Sequence, residues 1–501
     1  MAGDDFKLID ERIGLWGAVA LLVGTAVGMS IFVVPTQAAA SAGPSIVPAI
    51  LTAIPPMVLG VLLLLQLGSA LPVAGGVYVY GSRLVSPYWG FVGVALPVFA
   101  VWAYLLFAGL GFAQYLQSVA GILPFVGGIP TLVAVWGILG AFLLLNYVGV
   151  NLVVRVQIAL VLALIVGMLT FVAGGLAAFD PGNLAPLFPA GEGEPFADGI
   201  EPFLLAMVML YIPFQGFSMI VEIGEELEKP VENIPRVLAI GMTIVTLLSL
   251  GVVVALAGAV PWRETLDQAT GEAVEGGLAT VALRAGLLPD ALVVVVALGA
   301  LVAAATTINT LLTSYSRTVM RAARDDVVPE RFAAIHERYG TPHRAILLMA
   351  LPPLAVAPFH RRLDALLPVD LLDWLVVVVV TGIFVAFVIG GVALWRLPEV
   401  FPQRYEHSFY RLPMPVLRVV AVGNVAFSLI YTVFVATSAP TALAAVVLML
   451  VVVYVSYRVR VYRHERRGVD IRSRMALLDQ HERIGGGDPA SSDGGARSGE
   501  Q

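Results

Sequence analysis

The 501-residue chain has no cysteine, only 13% charged residues and, among its 29 basic side chains, just two lysines, Lys7 and Lys229. Without cysteine there can be no disulfide, thiolate metal site or cysteine nucleophile. The six histidines, at 336, 343, 360, 407, 464 and 481, all fall in links, at span edges or in the tail, and no HExxH or GxSxG pattern occurs. Hydrolysis inside a membrane needs a nucleophile with its base or a cluster of metal ligands. Enzyme chemistry, a bound metal and an organic cofactor are therefore not expected. A net charge of −6 leaves no basic surface for nucleic acid.

What the chain has in excess is apolar surface: 59% of its residues are hydrophobic and the mean hydropathy is +0.90. A soluble domain is about half apolar and about one quarter charged, and no single globular core would bury this much. The expected solvent is lipid. A crossing helix needs ~20 apolar residues, and such runs occur at 13–35, 46–68, 90–118, 130–149, 153–176, 202–223, 237–260, 290–316, 344–359, 369–395, 415–437 and 440–457. The expected fold is an all-α polytopic membrane protein of about twelve transmembrane helices. The first run exceeds the ~7–15 apolar residues of a secretory leader and follows an acidic segment, which reads as a span rather than a cleaved signal.

With residues 1–12 inside the cell, 25 of the 29 basic residues fall on the cytoplasmic side and four outside. The positive-inside rule favours this orientation in a cell membrane, with both termini cytoplasmic. The chain then divides into an N-terminal segment 1–12, a core 13–395 built of halves 13–176 and 202–395, a pair of spans within 396–457, and a tail 458–501. The tail starts with arginines suited to anionic lipid headgroups and becomes Gly-, Ser- and Asp-rich after Gly485.

Two spans contain residues that a continuous helix disfavours. The first carries Gly24, Thr25, Gly28 and Ser30 before Pro35, and the sixth carries Pro213, Gln215 and Gly216. Proline removes a helical hydrogen bond and glycine lowers the cost of unwinding. Taken singly, Gly24 and Gly28 read as a GxxxG packing pair and Pro213 as a kink. Taken together, they interrupt corresponding spans of two five-helix halves, the pattern of a transporter's midplane site. Freed N–H groups and a half-helix N-terminus near Gly28 suit a carboxylate, and freed carbonyls suit an ammonium. The acidic residues nearest the spans, Glu201, Glu222, Asp370 and Asp373, lie at predicted ends, so a substrate neutral overall is expected.

These same residues carry a resemblance. Gly24 to Pro35 resembles the first-helix signature of the amino acid–polyamine–organocation (APC) superfamily. Phe214-Gln215-Gly216-Phe217, followed by Glu225-Glu226, Pro230 and Asn233-Ile234-Pro235-Arg236, resembles that family's sixth helix and its cytoplasmic exit. Leu71-Pro72 to Gly75-Gly76-Val77-Tyr78 resembles its re-entrant loop. Ser316-Arg317, Arg324-Asp325-Asp326 and Tyr339-Gly340-Thr341-Pro342 resemble its link after the eighth helix. The resemblance implies a five-plus-five inverted-repeat fold with broken helices 1 and 6, and a permease for amino acids or related amines. An exchanger of another amine or cationic amino acid, or a non-transporting sensor on the same scaffold, is the alternative.

Carried over by position, Thr25, Ala26, Gly28, Met29, Ser30 and Ile31 would hold the carboxylate end of the substrate. Tyr211, Ile212, Phe214, Gln215, Gly216 and Phe217 would form the opposite wall, with Phe214 as an aromatic gate. Gly24, Val27, Thr306 and Thr307, with Asn309 and Thr310 nearby, would be the place for a sodium ion if Na+ rather than H+ is the coupling ion. The chain departs from the family at Ser30, often a second glycine, and at Ser218, often a glutamate. It also has no lysine between Leu160 and Thr170, where some proton-coupled members keep one.

Overall fold

Apolar chains in lipid must pair their backbone polar groups internally, which leaves helices as the economical solution for a sequence rich in Leu, Val and Ala. A computed structural model describes residues 13–121, 126–191, 194–197, 199–267, 271, 273–367, 371–438 and 440–466. The expected segment 1–12, Asp370 and the tail from 467 onward lie outside the described residues. Among these residues no strand occurs, only two isolated bridges. The helices are α1 (Leu15–Val27), α2 (Ser30–Ala42), α3 (Ile46–Ala70), α4 (Gly76–Tyr80), α5 (Pro87–Ser118) and α6 (Thr131–Val148). They continue with α7 (Val150–Ala177), α8 (Glu201–Tyr211), α9 (Met219–Glu222), α10 (Pro230–Ala259), α11 (Gly277–Arg284) and α12 (Asp290–Arg324). The last six are α13 (His343–Val356), α14 (His360–Leu366), α15 (Leu371–Val400), α16 (Pro402–Glu406), α17 (Met414–Ser438) and α18 (Pro440–Glu465).

Ten segments of the described residues are long and apolar enough to cross a membrane; the first, Leu15–Ala70, is 56 residues long and contains both the first and the second expected spans. The protein is thus a multi-pass membrane protein. The expected span at 344–359 forms α13, whose 14 residues fall short of the ~20 needed to cross alone. The last helix runs past its expected end at 457, through the basic cluster, to Glu465.

The broken elements α1, α2, α8 and α9 lie at the centre. α1 packs on α7, α10 and α12, α8 packs on α2 and α3, and α9 sits against α12. Helices α7 and α12 meet where a Cβ on Gly167 would lie 2.9 Å from the Gly299 Cα, so two small residues allow backbone-to-backbone contact. Helix α17 packs on α15 and α3, with α18 against α15 and α5. A ladder of neutral polar side chains ties α1, α6, α7 and α12 together. Asn309 donates to the Gln157 Oε1 (2.8 Å) and accepts from the Asn146 amide (2.9 Å). Gln157 donates in turn to Thr310 Oγ1 (3.2 Å), and the Thr313 hydroxyl donates to Asn146 Oδ1 (2.7 Å).

Candidate functional site

The two interruptions expected from glycine and proline are present, and they differ in kind. Helix α1 ends at Gly28, whose φ of 47° and ψ of −165° a side chain would resist. After Met29 the chain resumes as α2, with the Ser30 hydroxyl donating to the Val27 carbonyl (3.0 Å). Pro35 lies inside α2 and has no N–H for the carbonyl one turn before it. Between α8 and α9 the seven residues Ile212–Ser218 tighten into a 3-10 helix, with Pro213 in its first turn.

The two breaks touch through Gly216. A Cβ there would stand 2.3 Å from the Ala26 nitrogen and 2.5 Å from the Thr25 carbonyl carbon, so only glycine permits this approach. Thr25 is 4% exposed and its hydroxyl donates back to the Leu21 carbonyl (2.8 Å). Beside this crossing lies a cavity of about 50 Å³, roomy enough to admit water.

Of the residues expected to bind substrate, Thr25, Gln215 and Gly216 line that cavity. Ala26, Gly28, Ile31, Tyr211, Phe214 and Phe217 are buried around the breaks without lining it, and Met29, Ser30 and Ile212 are half-buried. Tyr211 joins an aromatic cluster with Phe384, Phe427 and Tyr431, its ring centroid 5.5 Å from that of Tyr431. Phe217 leans on Phe387 at 5.6 Å. Phe214, the expected gate, is fully buried.

Four polar cavity residues were not among the expected binders: Tyr104 of α5, Ser218, Glu222 and Tyr315 of α12. The glutamate was legible as a charge at a span end, but its place in the cavity depends on how α4 and α12 close around it. Gln215 is the other notable group. Both its amide atoms are buried and neither makes a hydrogen bond of good geometry, the Tyr211 phenol being a polar neighbour. An unsatisfied buried amide is costly, and one aimed at a cavity is placed to receive a polar guest.

The residues expected to hold a cation are brought together in part. The Thr306 hydroxyl donates to the Gly24 carbonyl (2.8 Å), and Thr307 donates to the Ala303 carbonyl of its own helix (3.2 Å). The Val27 carbonyl accepts from Ser30, and Asn309 and Thr310 belong to the ladder with Gln157.

At the arginine-rich end of the bundle, beyond Glu222, lies a layer of ion pairs. Arg317 Nε meets Glu226 Oε1 at 2.6 Å with both side chains buried, and Arg321 and Arg324 reach Glu225 at 3.3 and 3.2 Å. Arg83 meets Asp325 at 2.7 Å, and the Tyr78 hydroxyl donates to the same carboxylate. The start of α1 is held in this layer too, since Ile13 and Glu226 to Glu228 exchange backbone hydrogen bonds (2.7 and 3.0 Å).

The sequence model of a family described as amino acid permease matches residues 13–456, nearly the whole chain. This protein belongs to that amino acid permease family. A Bacillus subtilis methylthioribose transporter is 24% identical over 83% of this chain and 87% of its own length. A branched-chain amino acid permease of the same bacterium is 22% identical, over 80% of this chain and 84% of its own. The large neutral amino acids transporter small subunit 2 of Mus musculus is 27% identical over 69% of this chain and 64% of its own. The family and these relatives are transporters, and they agree with the superfamily resemblance of the motifs.

Proposed function

We propose that the protein is a secondary transporter that moves a neutral amino acid across the cell membrane by alternating access, with its arginine-rich end in the cytoplasm. The observation that carries this reading is the contact of the two interruptions at Gly216, beside a cavity lined by the Gln215 amide, which makes no hydrogen bond of good geometry. Backbone groups around Gly28 would meet the carboxylate of the amino acid. Gln215 would complete the polar end, and the apolar wall from Leu63 to Ile383 would take an aliphatic or aromatic side chain. The names of the branched-chain and large neutral amino acid relatives support a neutral, apolar substrate.

The ion-pair layer is the cytoplasmic barrier in this reading. Rocking of α1, α3, α8 and α9 with α10 against α5, α7 and α12 would part Glu225 and Glu226 from their arginines and open the site inward. Spans 1–5 and 6–10 would be the two inverted halves. Counterflow of radiolabelled leucine, valine, methionine, phenylalanine and arginine into proteoliposomes tests this. Exchange of one or more neutral amino acids is expected; exchange of none of the five would overturn it.

A further inference from the structure

Three glutamates lie within five residues at the end of the second broken element, and they have unlike surroundings. Glu225 and Glu226 each face arginine, as described above. Glu222 is 2% exposed and lines the cavity, yet it makes no ion pair among the described residues. Its Oε2 accepts from the Thr318 hydroxyl (2.5 Å) and its Oε1 from the Val77 N–H at a long 3.4 Å. A carboxylate offers about four acceptor positions, and Glu222 uses two. Gly76 presses on it so closely that a Cβ there would lie 2.4 Å from Oε1.

The groups around Glu222 provide no free positive charge. From α4 comes the Tyr80 phenol, buried with no hydrogen-bond partner, and from α12 the Tyr315 phenol, both within electrostatic reach of the carboxylate. Tyr104 of α5 lies beyond Tyr315. The arginines of α12 on this side, Arg317 and Arg321, are matched to Glu226 and Glu225, and Arg83 to Asp325. Helix α10 carries Glu232 and Arg236, which pair with each other at the surface (3.1 Å). An ionised carboxylate buried without a cation is expensive, and such a site is relieved by binding a proton, a cation or water.

We propose that Glu222 is the proton-binding site of the transport cycle, so that each amino acid enters with one proton. This rests on the transport reading above. In the loaded, closed arrangement the amino acid displaces water from the cavity, and the carboxyl group, held against Thr318 and Val77, keeps the proton. When the ion-pair layer opens, water reaches Glu222 and the arginines released from Glu225 and Glu226 lie a turn or less away on α12. The carboxylate is then stable, and the proton leaves to the same side as the substrate. The empty carrier returns with Glu222 ionised and hydrated by water in the vacated cavity that it lines, so the proton is not carried back and one proton crosses with each amino acid.

The test uses the full chain in proteoliposomes with an internal pH-sensitive dye. The substrate is whichever of leucine, valine, methionine or phenylalanine exchanges fastest in counterflow. In wild type, an inward gradient of about one pH unit should drive accumulation up to roughly tenfold, since each 1.4 kcal/mol is a factor of ten. The dye should report about one proton per amino acid. Glu222→Gln should move no proton, and its counterflow, at whatever rate, should not depend on pH. Glu222→Asp should keep the coupling but shift the pH of half-maximal uptake, which decides the matter if the glutamine variant carries nothing. Net uptake by wild type with no proton movement overturns the proposal, as does a glutamine variant that still accumulates substrate on the proton gradient or an unshifted profile in Glu222→Asp. Selective loss of arginine exchange in Glu222→Gln, with proton coupling intact, would make the carboxylate an ammonium partner instead and also overturn it. Absence of any counterflow in wild type would instead sink the transport reading itself.

Discussion

Two buried polar clusters lie side by side in this bundle, built from much the same residue types. The ladder of Asn146, Gln157, Asn309, Thr310 and Thr313 satisfies itself: each of its amides finds a partner on a neighbouring helix. The cavity cluster does not, since among the described residues Gln215 makes no hydrogen bond of good geometry and Glu222 no ion pair. A satisfied network rigidifies the helices it joins, whereas polar groups kept open need an outside partner. The ladder therefore reads as scaffold and the cavity as site. The contrast predicts that substitutions will separate stability from transport.

The largest effect is expected where the moving element meets the first break. Gly216→Ala introduces a Cβ into the Thr25–Ala26 backbone, and forced overpacking of this kind costs on the order of 1–3 kcal/mol. Displacing the two breaks by an ångström should cut counterflow by roughly 100-fold, as misplacement does in enzyme sites. Uptake assays beside a thermal-shift measurement would check this; near-normal counterflow would show that the contact can relax and that the crossing is not the site.

Next comes the ladder. Asn309→Leu removes a donor to Gln157 and an acceptor for Asn146 in a fully buried position. The loss should be about 2–3 kcal/mol of stability, with transport per folded molecule nearly unchanged. A stable Asn309→Leu protein that cannot bind substrate would reverse the assignment of the two clusters.

Gln215→Leu should behave in the opposite way. Because its amide makes no hydrogen bond of good geometry, the substrate-free protein should melt within about 1 °C of wild type or slightly higher, since removing a poorly satisfied amide relieves its desolvation cost. Substrate affinity should fall by roughly 5- to 150-fold, the equivalent of about 1–3 kcal/mol for a lost polar contact. Thermal shifts with and without amino acid read both quantities in one experiment. A destabilised protein with normal affinity would place Gln215 in the scaffold.

Much of this contrast could be anticipated from sequence, but unevenly. The breaks were legible because Gly28, Pro213 and Gly216 act on their own backbone, and local chemistry can be read from local sequence. The long apolar runs gave helix limits within a few residues for most spans, while the proline-bearing run at 344–359 yielded the 14-residue α13. Asn146 and Gln157 were overlooked, although an amide inside an apolar run is itself a signal that a partner waits on another helix. Glu222, Tyr104 and Tyr315 were not legible as cavity residues. Their meeting depends on the approach of α5, α9 and α12, which no spacing along one segment encodes. For the same reason Phe214 suited a gate by position, while its side chain is buried away from the cavity.

The smallest expected effect lies on the border between the two clusters, at Thr306. Its hydroxyl proton is shared between the Gly24 carbonyl (2.8 Å) and the Ala303 carbonyl of its own helix (2.7 Å), so the hydroxyl links the two helices directly. Thr306→Val should cost about 1 kcal/mol, the net worth of one hydrogen bond. If Thr306 belongs with the scaffold, uptake by the variant should respond to added sodium as wild type does. The discriminating result is a wild type whose uptake rises with sodium while Thr306→Val does not respond. That outcome would mean the hydroxyl turns to ligate a cation during the cycle. The boundary between closed ladder and open site would then run through α12 itself, with Thr306 and Gly24 on the side of the site.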